Sequence, residues 1–166
     1  MFKDKISQNL KIALKEKREI EVSVLRMLLA AILNKEKEKR YKLNKEKPDL
    51  SQGELEKESQ LTEEEITLIT SIEAKKRKEA IIAFEKGERK DLAEKEKKEL
   101  DILKKYLPEQ ISEEELSQII KQVIVETGAK EMKDMGKVMK EVMLKVVGRA
   151  DGNQVSGIVK ELLKND

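Results

Sequence analysis

The stretch KDMGKVMKEVMLKVVGRADGNQVSGIVKELL, Lys133 to Leu163, decides how the chain is built. Its apolar residues fall at helical spacing in two runs: Met135, Val138, Met139, Val142, Met143 and Val146, then Val155, Ile158, Val159 and Leu162. Gly148-Arg149-Ala150-Asp151-Gly152 joins them. Gly148 suits the left-handed conformation that ends a helix, and Asp151 suits the cap of the next, with Gln154 three residues on. Those glycines and Asp151 have a structural use. Neither cap requires a cation, so Arg149 stands out. It is placed beside the positive end of the last helix, where an anion is favoured, although Asp151 already brings a carboxylate there. Arg149 therefore serves either plain solvation or ligand contact.

The same grammar extends toward the N-terminus. Ser112 and Glu115 form a capping box with Ile111 and Leu116 as its staple, and Gly128 stops the helix that carries Leu116, Ile119, Ile120 and Val123. Pro108 ends a helix bearing Leu92, Leu100, Leu103 and Leu107, whose start is read from Asp91 and Glu94. Thr62 and Glu65 open another, stapled by Leu61 and Ile66, which runs inward through Ile69, Ile72, Ile81 and Phe84 to Gly87 as its stop. Leu43 to Gln60, with Pro48 and Gly53, reads as a solvated loop or insertion. Before it, one helix from Phe2 to Glu16 and a second from Glu19 to about Arg40 complete the pattern, the second with Val22, Leu25, Leu29 and Ile32 in line. The expectation is an all-α protein of seven helices: four in an N-terminal domain, residues 1–107, and three in a C-terminal domain, residues 108–166.

Composition agrees. Aromatics are 2% and charged residues 42%, so the core must be aliphatic and every helix needs a polar face. The chain contains neither cysteine nor histidine, which removes disulfides, thiolate chemistry, and the usual general base and metal ligand. No phosphate loop, catalytic carboxylate motif or nucleophilic serine signature stands in the sequence, and Ser156 has no histidine to activate it. We expect no cofactor and no metal. The longest apolar-leaning run, Val22 to Leu33, is too short to span a bilayer, and Met1-Phe2-Lys3-Asp4 lacks a hydrophobic signal region, so a cytoplasmic location is expected. From Pro108 onward 9 basic residues face 11 acidic ones, whereas the first part is +4. Any contact with a polyanion must come from local patches.

Three patches qualify. Lys133 and Lys137 flank Gly136, a glycine that costs about 1 kcal/mol in a helix interior unless it lies in the first turn or permits close approach of another backbone. With Arg149 they could form a basic rim. Lys75-Lys76-Arg77-Lys78 interrupts the apolar pattern of its helix for almost two turns, which places it in solvent or against a polar partner. Lys35, Lys37, Lys39 and Arg40 make a similar run, but there the helix C-terminus itself favours cations. Met135, Met139 and Met143 read as adaptable core packing. Tyr41 and Tyr106 are isolated and give no platform for stacking bases.

Taken together, Leu25-Arg26-Met27-Leu28, Tyr106-Leu107-Pro108-Glu109-Gln110, Met135-Gly136-Lys137-Val138-Met139 and Gly148-Arg149-Ala150-Asp151-Gly152 resemble the YqeY family. The second block is also similar to the tail domain of the GatB subunit of the tRNA-dependent amidotransferase. Gly148, Arg149 and Ala150 match its glycine, basic residue and alanine, while Asp151-Gly152 departs from its common asparagine-proline. The resemblance implies a four-helix domain, a three-helix domain and a link to tRNA. Carbon–nitrogen ligase activity with glutamine as amide donor would be inherited by similarity only, since the domains that hold that chemistry are absent. The expected function is a non-catalytic accessory protein that binds tRNA or other structured RNA through Arg149, Lys133 and Lys137, supported by Lys75, Lys76, Arg77 and Lys78. The alternative is a helical adaptor for an amidotransferase or another protein of the translation machinery.

Overall fold

The computed structural model describes residues 2–164. Among them the regular structure is helical: α1 (Phe2–Lys15), α2 (Glu19–Glu46), α3 (Gln52–Glu58), α4 (Glu63–Lys86), α5 (Lys90–Lys104), α6 (Glu113–Thr127), a 3₁₀ turn (Met132–Asp134), α7 (Met135–Lys145) and α8 (Gly152–Lys164). The chain divides into two compact units, Met1–Tyr106 and Leu107–Asp166. No described helix is long and apolar enough to cross a membrane.

In the first unit α2 is the central element, touching α1, α3, α4 and α5, while α4 packs chiefly along α5. Ile6, Leu25, Leu28, Ile32 and Leu103 are fully buried there. Charged side chains enter this core only with partners. Glu36, 5% exposed, receives Lys3 Nζ at 2.6 and 2.8 Å. Tyr106 is buried, and its hydroxyl accepts from Asn9 Nδ2 at 2.7 Å. Burial, the largest cause, pushes the Tyr106 phenol upward.

Two expectations fail in this unit. The segment 43–60 is not one loop: α2 continues to Glu46, and α3 forms over Gln52–Glu58. Ser51 accepts from Glu54 N, and Glu54 returns to Ser51 N, which is a capping box. Leu55 anchors this short helix in the core. The start of α5 is not set by Asp91, since Arg89 stands at its N-cap without a side-chain hydrogen bond. As expected, α4 stops at Gly87, which is its C-cap at φ −85°, and the left-handed residue is the following Glu88, at φ 57°. Glu88 N bonds Glu85 O and Arg89 N bonds Phe84 O, which is the Schellman pattern one residue later than the glycine suggested.

In the second unit α6, α7 and α8 each touch the other two. Ile120, Val123, Val138, Val142, Val146, Val155 and Val159 fill its centre, with Met135, Met139 and Met143 packed against them. Ser112 caps α6, and Gly128, at φ 65°, ends it. Gly148 carries the positive φ, 72°, that its place between α7 and α8 demands.

Candidate functional site

The turn between α7 and α8 is tied down from both sides. Arg149 N bonds Val146 O at 2.9 Å, and Arg149 O accepts from Ile111 N at 3.0 Å. Gln110 Nε2 donates to Gly148 O at 2.9 Å. The segment before α6 thus buttresses the elbow, and Ala150 packs into the core beneath it. Asp151 Oδ1 accepts from Asn153 N at 2.8 Å and from Gln154 N at 3.0 Å. The first N–H groups of α8 are therefore occupied by the chain's own carboxylate, and an external anion gains little there.

Arg149 does not point into empty solvent. Its Nη2 lies 2.9 Å from Glu115 Oε1, with the arginine side chain 35% exposed and the glutamate 50%. Glu115 was expected to complete a reciprocal cap on α6; instead its backbone N–H is held by Ser112 Oγ at 3.2 Å while its carboxylate takes the guanidinium.

Lys133 and Lys137 stand elsewhere. Lys133 lies in the 3₁₀ turn and pairs with Glu131 at 2.9 Å on the open surface. Lys137 Nζ donates to Thr127 O at 2.9 Å, supplying a cation to the end of α6, whose last turn has no basic residue of its own. Arg149 thus reaches Glu115 near one end of α6 and Lys137 reaches Thr127 at the other. Twelve residues of helix rise about 18 Å, so the three cations do not form one rim.

What the structure does assemble is a stripe along the outer side of α7. Lys133, Gly136, Lys137 and Lys140 are all exposed, opposite the buried Val138 and Val142. A Cβ on Gly136 would meet nothing within 4 Å. The tight helix contact expected of this glycine is absent, and its place in the first turn of α7 accounts for its tolerance. Gly152, the first residue of α8, is open in the same way. Lys140 was overlooked in the sequence, although its spacing of three from Lys137 and seven from Lys133 is readable.

The turn that leads into this stripe is built on Asp134. Its Oδ2 accepts from Lys130 N at 3.1 Å and from Glu131 N at 3.2 Å. Those two backbone donors hold its carboxyl below the ordinary aspartate value, with Lys133 and Lys137 adding to the effect.

The basic run of α4 is mostly engaged within its own unit. Lys75 lies 4.0 Å from Glu79 and Lys76 is 2.6 Å from Glu73. Arg77 is turned inward: its Nε is 2.8 Å from Glu99 and 3.3 Å from Glu96 on α5, with only 19% of the side chain exposed. It bridges two helices and is not presented to a partner. Lys76 and Lys78 are the exposed members of the run, Lys76 within its ion pair to Glu73.

Among the described residues no group of three or more acidic side chains is placed to hold a metal ion. A search of curated proteins finds no match to this chain. The family model for Yqey-like proteins matches residues 47–163. That range takes in three of the four motifs quoted above, together with most of the 43–60 segment, and leaves Leu25-Arg26-Met27-Leu28 outside it. Since the matched range is well over half of the sequence and holds both the α7 stripe and the Arg149 elbow, the chain belongs to the Yqey-like protein family.

Proposed function

We propose that this protein is a cytoplasmic accessory factor that binds tRNA or another structured RNA through its Leu107–Asp166 unit. The finer architecture belongs to the same proposal. In it α1, α2, α4 and α5 make a four-helix first domain on which α3 is an addition, and the second unit is a three-helix relative of the GatB tail.

One observation carries the reading. The outer side of α7 presents Lys133, Lys137 and Lys140 around a glycine whose Cβ position is empty. Three cations on successive turns suit the phosphates of one strand. The missing side chain at Gly136 leaves room for the strand to come close to the helix. Structured RNA is bound largely through backbone and shape, which requires cations and no aromatic platform. Arg149 provides a second contact at the far end of α6. Its exposed pair with Glu115 is weak enough to be exchanged for a phosphate.

Fluorescence anisotropy with labelled tRNA at several salt concentrations tests the reading. Affinity should fall steeply with salt, and Lys133→Glu with Lys140→Glu should lower the log–log slope by about one per cation removed. Lys133 holds an exposed pair with Glu131 and adds only secondarily to the backbone donors at Asp134, so folding should be preserved. Binding that ignores salt, or that survives both this double change and Arg149→Glu, sinks the proposal.

A docking role toward a protein is favoured by two other side chains of this unit, Leu144 at 64% and Val125 at 80% exposed. Pull-down from nuclease-treated extract separates the two readings. A protein partner survives removal of RNA and is lost on Leu144→Lys.

A further inference from the structure

The face of α4 turned away from its neighbours is not the polar surface a solvated helix would have. Leu68, Ile72 and Ile82 are 46%, 48% and 54% exposed. With Lys75, Glu79 and Lys86 they recur in alternating steps of four and three, the spacing of a coiled-coil seam. At 3.6 residues per turn this seam lies opposite Ile66, Thr70, Glu73 and Ala74, the buried residues of α4. The sequence pattern assigned Ile72 to the core; it belongs to this outer seam instead.

The seam is complementary to itself in one orientation. Let a second α4 run antiparallel across it, with a two-fold axis at the level of Arg77. Ile72 of one copy then meets Ile82 of the other, and Lys75 meets Glu79. Leu68 meets the methylene stem of Lys86. Each facing position is matched in size or charge, and symmetry repeats every pairing on the other side of the axis. A parallel arrangement would set Lys75 against Lys75 and Glu79 against Glu79, and like charges in facing layers are repelled. Within one chain Lys75 and Glu79 are 4.0 Å apart, an open pair that readily exchanges for the same pair between chains.

We propose that the outer face of α4 is a homodimer interface, an antiparallel two-helix seam. Its ionic layers, Lys75 against Glu79, flank the axis, and isoleucine layers lie outside them. The occupant is a second copy of this chain because the seam's charges and apolar positions answer each other about a dyad.

Sedimentation velocity over a range of concentrations tests this on the full chain. Dimerisation is expected, with Lys75→Glu and Glu79→Lys each weakening it by ~10-fold or more through like-charge contact. The double reversal, which restores the pairing with its signs exchanged, should recover it. Both positions are on the surface, so the variants fold. Since the chain has no cysteine, introduced thiols report the register. Ile72→Cys mixed with Ile82→Cys should give disulfide-linked dimers, while neither variant alone should. A chain that stays monomeric at millimolar concentration, a dimer indifferent to both reversals, or efficient crosslinking of Ile72→Cys to itself overturns the proposal.

Discussion

The guanidinium of Arg149 is bound to the carboxylate of Glu115 at 2.9 Å, which joins the start of α6 to the turn between α7 and α8. Both groups are substantially exposed, so the pair contributes less than about 1 kcal/mol to stability. It still lowers the charge that Arg149 offers a phosphate. Glu115→Gln should leave thermal stability nearly unchanged and tighten RNA binding by up to about fivefold, the equivalent of that energy. Anisotropy and a melting curve on the same sample decide it. A weaker complex would mean that Glu115 itself contacts the ligand.

Arg77 should behave oppositely. It faces Glu99 at 2.8 Å and Glu96 at 3.3 Å with little access to water, and Glu96 Oε2 accepts no hydrogen bond. Removing the cation leaves two carboxylates facing each other in a half-dry site. Arg77→Ala should cost about 3 kcal/mol in urea unfolding, whereas Glu96→Leu should be nearly neutral. A loss below about 1 kcal/mol for Arg77→Ala would show that water already screens the cluster.

Three helices end with a residue in left-handed conformation at or just past the cap: Lys17 at φ 55°, Glu88 at 57° and Gly128 at 65°. Only the last is glycine. A side chain there costs about 1 kcal/mol through contact of Cβ with the backbone. Lys17→Gly and Glu88→Gly should therefore each stabilise the protein by about 0.5 to 1 kcal/mol, and Gly128→Ala should destabilise it by a similar amount. Equal effects from all three changes in denaturant unfolding would refute the shared cap.

Acid should loosen the approach to α7. Asp134 has a lowered carboxyl pKa because Lys130 N and Glu131 N donate to it. A depressed folded value means that its contribution is fully present above the unfolded value, about 3.9, and vanishes as pH falls through the lower folded value. Carbon-detected titration of the carboxyls should place Asp134 below the ordinary aspartate value. Glu126, lowered chiefly by the hydrogen bond from Lys145, serves as an internal comparison. An Asp134 that titrates at or above the free value would mean that the 3₁₀ turn does not form.

Where capping chemistry is local, the sequence was enough. Thr62 and Ser112 open α4 and α6, Asp151 holds the first N–H groups of α8, and Gly128 closes α6, each through bonds spanning a few residues. Ser51 and Glu54 carried the same signal for α3. It was obscured by Pro48, Gly53 and a polar setting in which Leu55 is the single buried residue of the helix. The α7 stripe was half legible: Lys133 and Lys137 were identified and Lys140 was not.

The chain's order of residues by itself determined that it is helical, where most of its helices begin and end, and that no histidine or cysteine chemistry is open to it. Hydrogen bonds and periodicity within one turn of helix are enough for that. Only the tertiary structure decided which cations are free. Arg77 and Lys78 are neighbours in sequence, yet one faces a buried and a half-buried carboxylate and the other faces water. Likewise Ile72 reads as core by spacing and stands outside by packing. A charge or an apolar side chain is defined by what lies across from it, and that comes from helices distant in sequence.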